Sequence, residues 1–190
     1  MALKSVHVTK VKRAYDKCLV WFYAFPNLKI GLSDLAKSIR ASKTATALVV
    51  GTLVKEKFLT KEIFGKSWIL SANPRHPYLL TKKGPYHLSK IYESGIVNAV
   101  YNMGPQARAI ILFGSYRWGT DIDSSDIDIA VEVLDNQELR IVELGIIREF
   151  GYRKNVQVNL HIFSRNKIDL NIFANIANGI ILDGFLEVRP

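Results

Sequence analysis

Gly114, Ser115, Asp126 and Asp128 are the residues of this sequence whose types and spacing could do chemistry together. An apolar run over 109–113 stops at Gly114-Ser115. A polar turn with a second glycine, Gly119, follows, and the chain returns to an apolar run that carries the two aspartates. Strand, glycine turn, short helix and strand is the simplest reading of that pattern. On a strand, residues two apart point to the same face, so Asp126 and Asp128 share one face while Ile127 and Ile129 take the other. Two adjacent carboxylates repel unless a cation lies between them. Oxygen donors suit Mg²⁺, which takes one or two carboxylates and completes its shell with water and phosphate oxygens. Backbone N–H groups at a glycine turn can hold phosphates. Together these features point to nucleotide chemistry. A calcium loop over Asp121, Asp123, Ser125 and Glu132 fails, because its sixth position requires glycine and holds Asp126. An acidic surface turn would leave Gly114-Ser115 unexplained.

The joint pattern resembles the minimal nucleotidyltransferases of the DNA polymerase beta superfamily. Their signature is Gly-Ser, a spacer, then Ser-Asp-Ile-Asp. Here it stands as Gly114-Ser115, ten intervening residues, then Asp126-Ile127-Asp128 preceded by Ser125. The resemblance covers roughly residues 105–188. It implies a nucleoside triphosphate, ATP foremost, bound with Mg²⁺, and transfer of a nucleoside monophosphate to a hydroxyl on a partner protein, an RNA or a small molecule. It also implies roles: Gly114 and Ser115 for the phosphates, Asp126 and Asp128 for the metal, and Arg117 for transition-state charge. Two departures stand out. Active relatives carry a third carboxylate on a later strand, where this chain has Val158-Asn159-Leu160, so Asn159 occupies the third catalytic position. Asparagine offers an oxygen but neither charge nor basicity. His161, two residues on, is a candidate base or a structural histidine. Trp118 stands where many relatives carry a basic residue, with Arg117 beside it.

The elements that must position these residues read as an α+β protein. Its plan is an N-terminal winged helix domain over 1–104, then a nucleotidyltransferase-like mixed sheet over 105–190 with helices packed on one face. In the second half, apolar spacing predicts a helix over 136–150, a strand over 154–163, a helix over 168–178 and a closing apolar segment over 180–186. In the first half, helices are expected over 9–25, from Ser33 through Ile39, and over 43–57. Short strands are expected over 58–60, 68–71 and 78–80. A further helix over 85–102 forms a stiff connector to the domain boundary at Met103-Gly104.

The first half resembles winged helix regulators through Leu32-Ser33-Asp34-Leu35-Ala36-Lys37, Ser42-Lys43-Thr44-Ala45-Thr46 and Tyr78-Leu79-Leu80-Thr81-Lys82-Lys83-Gly84. That resemblance implies Ser42, Lys43, Thr44 and Thr46 in the major groove of double-stranded DNA, with Lys61, Arg75, Lys82 and Lys83 on phosphates. The recognition segment is poor in Arg, Asn and Gln, the side chains best suited to base edges. Winged helices also dimerise or dock proteins, so a homodimer or a partner protein remains an alternative. A DNA-binding regulator or antitoxin with a degenerate transferase domain is the competing function.

Composition frames both halves. Residues 1–104 hold 17 Lys and Arg against 5 Asp and Glu, while 105–190 hold 9 against 12, which accounts for the net charge of +9. A basic half beside a mildly acidic one suggests two functions, the first with a nucleic-acid footprint. Apolar residues make up 48% of the chain, enough for a substantial core. The one cysteine, Cys18, lies in an apolar run and reads as a buried small hydrophobe. Lys4, His7 and Lys10 interrupt any signal-like stretch, and no run reaches the roughly 18 apolar residues of a membrane span. A soluble cytoplasmic protein is the expectation.

Overall fold

The computed structural model describes residues 14–104 and 106–188. Val11, expected on the first helix, lies outside them. The chain runs α1 (Ala14–Ala24), β1 (Ile30–Gly31), α2 (Leu32–Ser38), α3 (Lys43–Lys55), β2 (Leu59–Phe64) and β3 (Ser67–Ala72). The three strands form an antiparallel sheet in the order β1-β3-β2. Ser42 sets where α3 begins: its Oγ accepts a hydrogen bond from Ala45 N–H at 3.2 Å, satisfying a donor the helix cannot. Gly65, at φ 58°, permits the two-residue turn joining β2 to β3. Phe22, Leu35, Val50, Leu53, Phe58 and Leu70 are completely buried between these elements. Each such side chain contributes roughly 1.5–3 kcal/mol by leaving water. Cys18 is buried among them, and burial pushes its thiol pKa up to about 12, which makes it inert.

The expected strand over 78–80 is instead a wide helical turn, Leu79–Lys83, running directly into α4 (Gly84–Ser94). Pro77 O accepts from both Leu80 N–H and Thr81 N–H at 3.1 and 2.8 Å, and the Tyr78 ring packs 5.6 Å from Phe58. A short apolar run does not by itself distinguish strand from buried helix. The expected single connector helix is also corrected. Gly95, at φ 77°, ends α4 in the left-handed conformation, and α5 (Ile96–Asn102) starts anew. Neither helix is a free rod, because Ile91, Ile96 and Val100 are buried in the core of the second sheet.

That sheet contains β4 (Ala109–Phe113), β5 (Ile127–Glu132), β6 (Arg140–Phe150), β7 (Arg153–Phe163) and β8 (Ile180–Gly184), ordered β6-β7-β5-β4-β8. Only the β5–β7 pairing is parallel. Strand β6 replaces the helix expected over 136–150. A bulge between Glu143 and Gly145 moves its inward face from Val142 and Leu144 to Ile147, so the apolar spacing mimics a helix. Helices on one face only is a second correction. Ile110 and Leu112 face α4 and α5, whereas Ala109, Ile111 and Phe113 face α7 (Leu170–Ala177). The mixed α+β architecture stands. Among the described residues, no helix is long and apolar enough to cross a membrane.

Candidate active site at the Gly114 turn

Strand β4 delivers the chain to Gly114 at φ 71°, and a five-residue helix, α6 (Gly114–Trp118), follows. Phe113 pairs with Asp128 across the antiparallel β4–β5 ladder. This register brings Asp128 against the turn so closely that a Cβ on Gly114 would lie 2.9 Å from Asp128 Oδ2. Only glycine leaves that space open. In the parallel β5–β7 ladder Asp128 pairs with Asn159, and His161 follows two residues on along the same face. Asn159 Nδ2 donates to Asp126 Oδ2 at 3.4 Å, while its Oδ1 accepts from Gln157 Nε2 at 2.9 Å. His161 Nε2 lies 3.1 Å from Asp128 Oδ1, with its ring edge-on to Phe113 at 4.9 Å. The structure thus gathers Gly114, Asp126, Asp128, Asn159 and His161 at one end of the sheet.

The donor set fits one Mg²⁺. Asp126 and Asp128 supply two carboxylates, which is as many as that ion usually takes from protein, and water and phosphates fill the rest. It does not fit a second ion, since Asn159 is neutral, and among the described residues no group of three or more His, Cys, Asp and Glu forms a metal cluster. Ser115 lies half-buried at the turn, and its carbonyl accepts from Thr120 N–H at 3.0 Å. Arg117 is partly committed: Nε donates to Asn178 O at 2.9 Å, and the guanidinium lies 3.7 Å above the Trp118 ring.

Behind the turn lies a buried polar cluster that sequence reasoning missed. Lys83 Nζ is 2.9 Å from Asp121 Oδ1 and donates to Asp121 O at 2.7 Å, with both side chains only 1% exposed. Lys83 was expected on DNA phosphates and is instead sealed inside the protein. Lys82 lies over the Tyr78 ring, 3.5 Å from its centroid. His87 Nδ1 sits 3.4 Å from Asp121 Oδ1, its ring 4.8 Å from Tyr116 and 5.5 Å from Phe150. Arg153 donates to the Tyr116 hydroxyl and, at 2.6 Å, to Ser125 O. The available sequence signal was Asp121 in the spacer, but its partner is 38 residues away.

Burial, and secondarily the Lys83 cation, hold the His87 pKa well below the ordinary histidine value. Burial pushes Asp121 the other way, up to about 6, against the attraction of Lys83. These shifts act oppositely on stability. The folded state disfavours protonated His87, so its contribution is full above the unfolded value of about 6.5 and is lost as pH falls. The raised Asp121 contributes stability below its unfolded value of about 3.9, lost as pH rises through 6. Between roughly pH 4 and 6 the two slopes offset, so the difference between variant and wild type is the informative quantity. His87→Phe keeps a ring in place and removes the titration. Below about pH 6.5 its unfolding free energy should gain on wild type by up to ~1.4 kcal/mol per pH unit, measured by denaturant titration. A difference constant from about pH 5 to 7.5 would show that His87 is not held neutral.

In the first half, Lys43 and Thr44 are exposed at the start of α3. They line an open groove of about 620 Å³ with Ser33, Asp34, Lys66 and Trp68. Thr46 is a correction. It is fully buried, and its hydroxyl donates to Ser42 O at 2.9 Å, so it cannot reach a DNA groove. The Ser42 hydroxyl is engaged in capping.

Residues 96–183 match the family model described as Polymerase beta, Nucleotidyltransferase. The matched segment, less than half of the chain, is similar to that family's nucleotidyltransferase domain and contains Gly114, Asp126, Asp128 and Asn159. No curated protein and no solved structure resembles the chain closely enough to count as a match.

Proposed function

We propose that the protein binds a nucleoside triphosphate, ATP foremost, with Mg²⁺ and transfers the nucleoside monophosphate to a hydroxyl. The attacking oxygen bonds to the α-phosphorus, the bond to the bridging oxygen breaks, and pyrophosphate leaves. Asp128 set against the Gly114 turn, with Asp126 held by Asn159 beside it, carries this reading. Asp126 and Asp128 would hold Mg²⁺, whose charge neutralises the phosphate oxygens. Gly114 and Ser115 would line the phosphates, and Arg117 would add positive charge beside them. Asn159 cannot take the hydroxyl proton, which leaves His161 as the base on that face. The test is calorimetric titration of ATP with and without Mg²⁺, followed by pyrophosphate release with candidate protein, RNA and small-molecule acceptors. No Mg²⁺-dependent binding at millimolar ATP would sink it.

The helix and strand order of the first half, with its β2–β3 hairpin, supports a winged helix reading of residues 1–104. A cytoplasmic setting suits a nucleotide-dependent protein whose one cysteine is buried and reduced. Asn159 favours a second reading, a DNA-binding regulator whose nucleotide domain does not turn over. That reading requires retardation of one defined duplex, weakening by orders of magnitude between about 50 and 200 mM salt. Lys43→Glu with Lys66→Glu should release it. Equal retardation of any duplex would count against it.

A further inference from the structure

We propose that Lys83 is a positioning residue for the nucleotide site: by gripping Asp121 it fixes the spacer that links the Gly114 turn to Asp126. The inference rests on the nucleotidyltransferase reading and extends it to a residue outside the matched domain, which begins at residue 96. The spacer over 119–126 is held at several points. At its start, Gly119 at φ 70° lets the backbone pass so near the Leu79–Lys83 turn that a Cβ there would lie 2.1 Å from Leu79 O. In its middle, Lys83 holds both the carboxylate and the carbonyl of Asp121. At its end, Arg153 holds the carbonyl of Ser125, the residue before Asp126. Ser125 Oγ accepts from Ile122 N–H at 2.9 Å, closing the loop on itself.

A buried ion pair is a poor device for stability alone, because desolvating two charges offsets most of their attraction and an apolar pair of similar volume often serves as well. Its particular property is direction. Lys83 reaches two Asp121 oxygens at once, which fixes both the side chain and the backbone of one spacer residue. An apolar contact would permit sliding. Since Asp126 lies outside the β5 strand, just before Ile127, its position depends on this spacer rather than on the ladder.

The experiment compares Lys83→Met with the apolar pair Lys83→Met plus Asp121→Leu. Backbone hydrogen exchange without nucleotide reads the spacer directly. Exchange over 119–126 should rise at least tenfold in both variants while β4 and β5 stay protected. Mg²⁺-dependent ATP affinity should fall at least tenfold in both, even though the apolar pair recovers the melting temperature lost in Lys83→Met. Wild-type exchange in the spacer of the apolar pair would overturn the inference, as would wild-type ATP affinity in that variant. If wild-type protein binds no ATP, the nucleotidyltransferase reading fails, and hydrogen exchange still decides whether Lys83 holds the spacer. Should Lys83→Met not fold, the apolar pair supplies both readouts.

Discussion

Replacing Asp126 and Asp128 together with asparagine is expected to abolish Mg²⁺-dependent ATP binding without harming the fold. Neither side chain belongs to the apolar core: Asp126 is exposed and Asp128 half-buried. Asparagine preserves their volume and removes two like charges that repel when no cation lies between them. The ligand-free variant should therefore melt at or above the wild-type temperature. Its ATP affinity in Mg²⁺ should fall by at least about a hundredfold, since disturbing the partners of metal ligands alone costs 10–100-fold. Calorimetry with Mg²⁺ and with EDTA measures both terms. Wild-type affinity in the double variant would refute the assignment of this site.

Asn159→Asp has the opposite expected effect, a gain. The substitution places a carboxylate where the β5–β7 register sets it beside Asp128, with Asp126 Oδ2 3.4 Å from the present amide nitrogen. The variant should lose stability without metal, because the hydrogen bond to Asp126 becomes a repulsion between like charges. Adding Mg²⁺ should then raise its melting temperature more than it raises that of wild type. A positioned base typically contributes 10²–10⁴-fold, so pyrophosphate release with a competent acceptor should rise by about a hundredfold. Unchanged turnover together with an unchanged Mg²⁺ effect on melting would mean that position 159 does not face the reacting groups. His161 provides the internal comparison: if it already supplies the base, the gain will be smaller.

The sheet around the site was legible because β4 reads as an apolar run and β7 alternates, so Asp128 falls on a strand face, while Asn159 came from the family resemblance and Asp126, just before β5, is placed by the spacer instead. The Gly114 turn was legible because an apolar run ends on glycine there. Strand β6 was not, since its bulge breaks the period that defines a strand. Thr46 looked available because local sequence does not reveal that its helix turns it inward against the Ser42 carbonyl. Lys83 looked solvated because lysine usually is, and its partner is set by tertiary packing. The site residues follow from local pattern, while the contacts that hold them depend on long-range packing.

Ile91, Ile96 and Val100 lie N-terminal to the glycine at 104 that seemed to divide the chain, yet they complete the core under the second sheet. A fragment beginning at that glycine would expose the faces of Ile110, Leu112 and Ile129 that these helices cover. Such a bare sheet face favours self-association over a stable monomer. The second half is consequently not a portable cassette. Any engineered fusion or truncation has to carry α4 and α5 with it, and inheritance of this site requires inheritance of the segment from Lys83 onward.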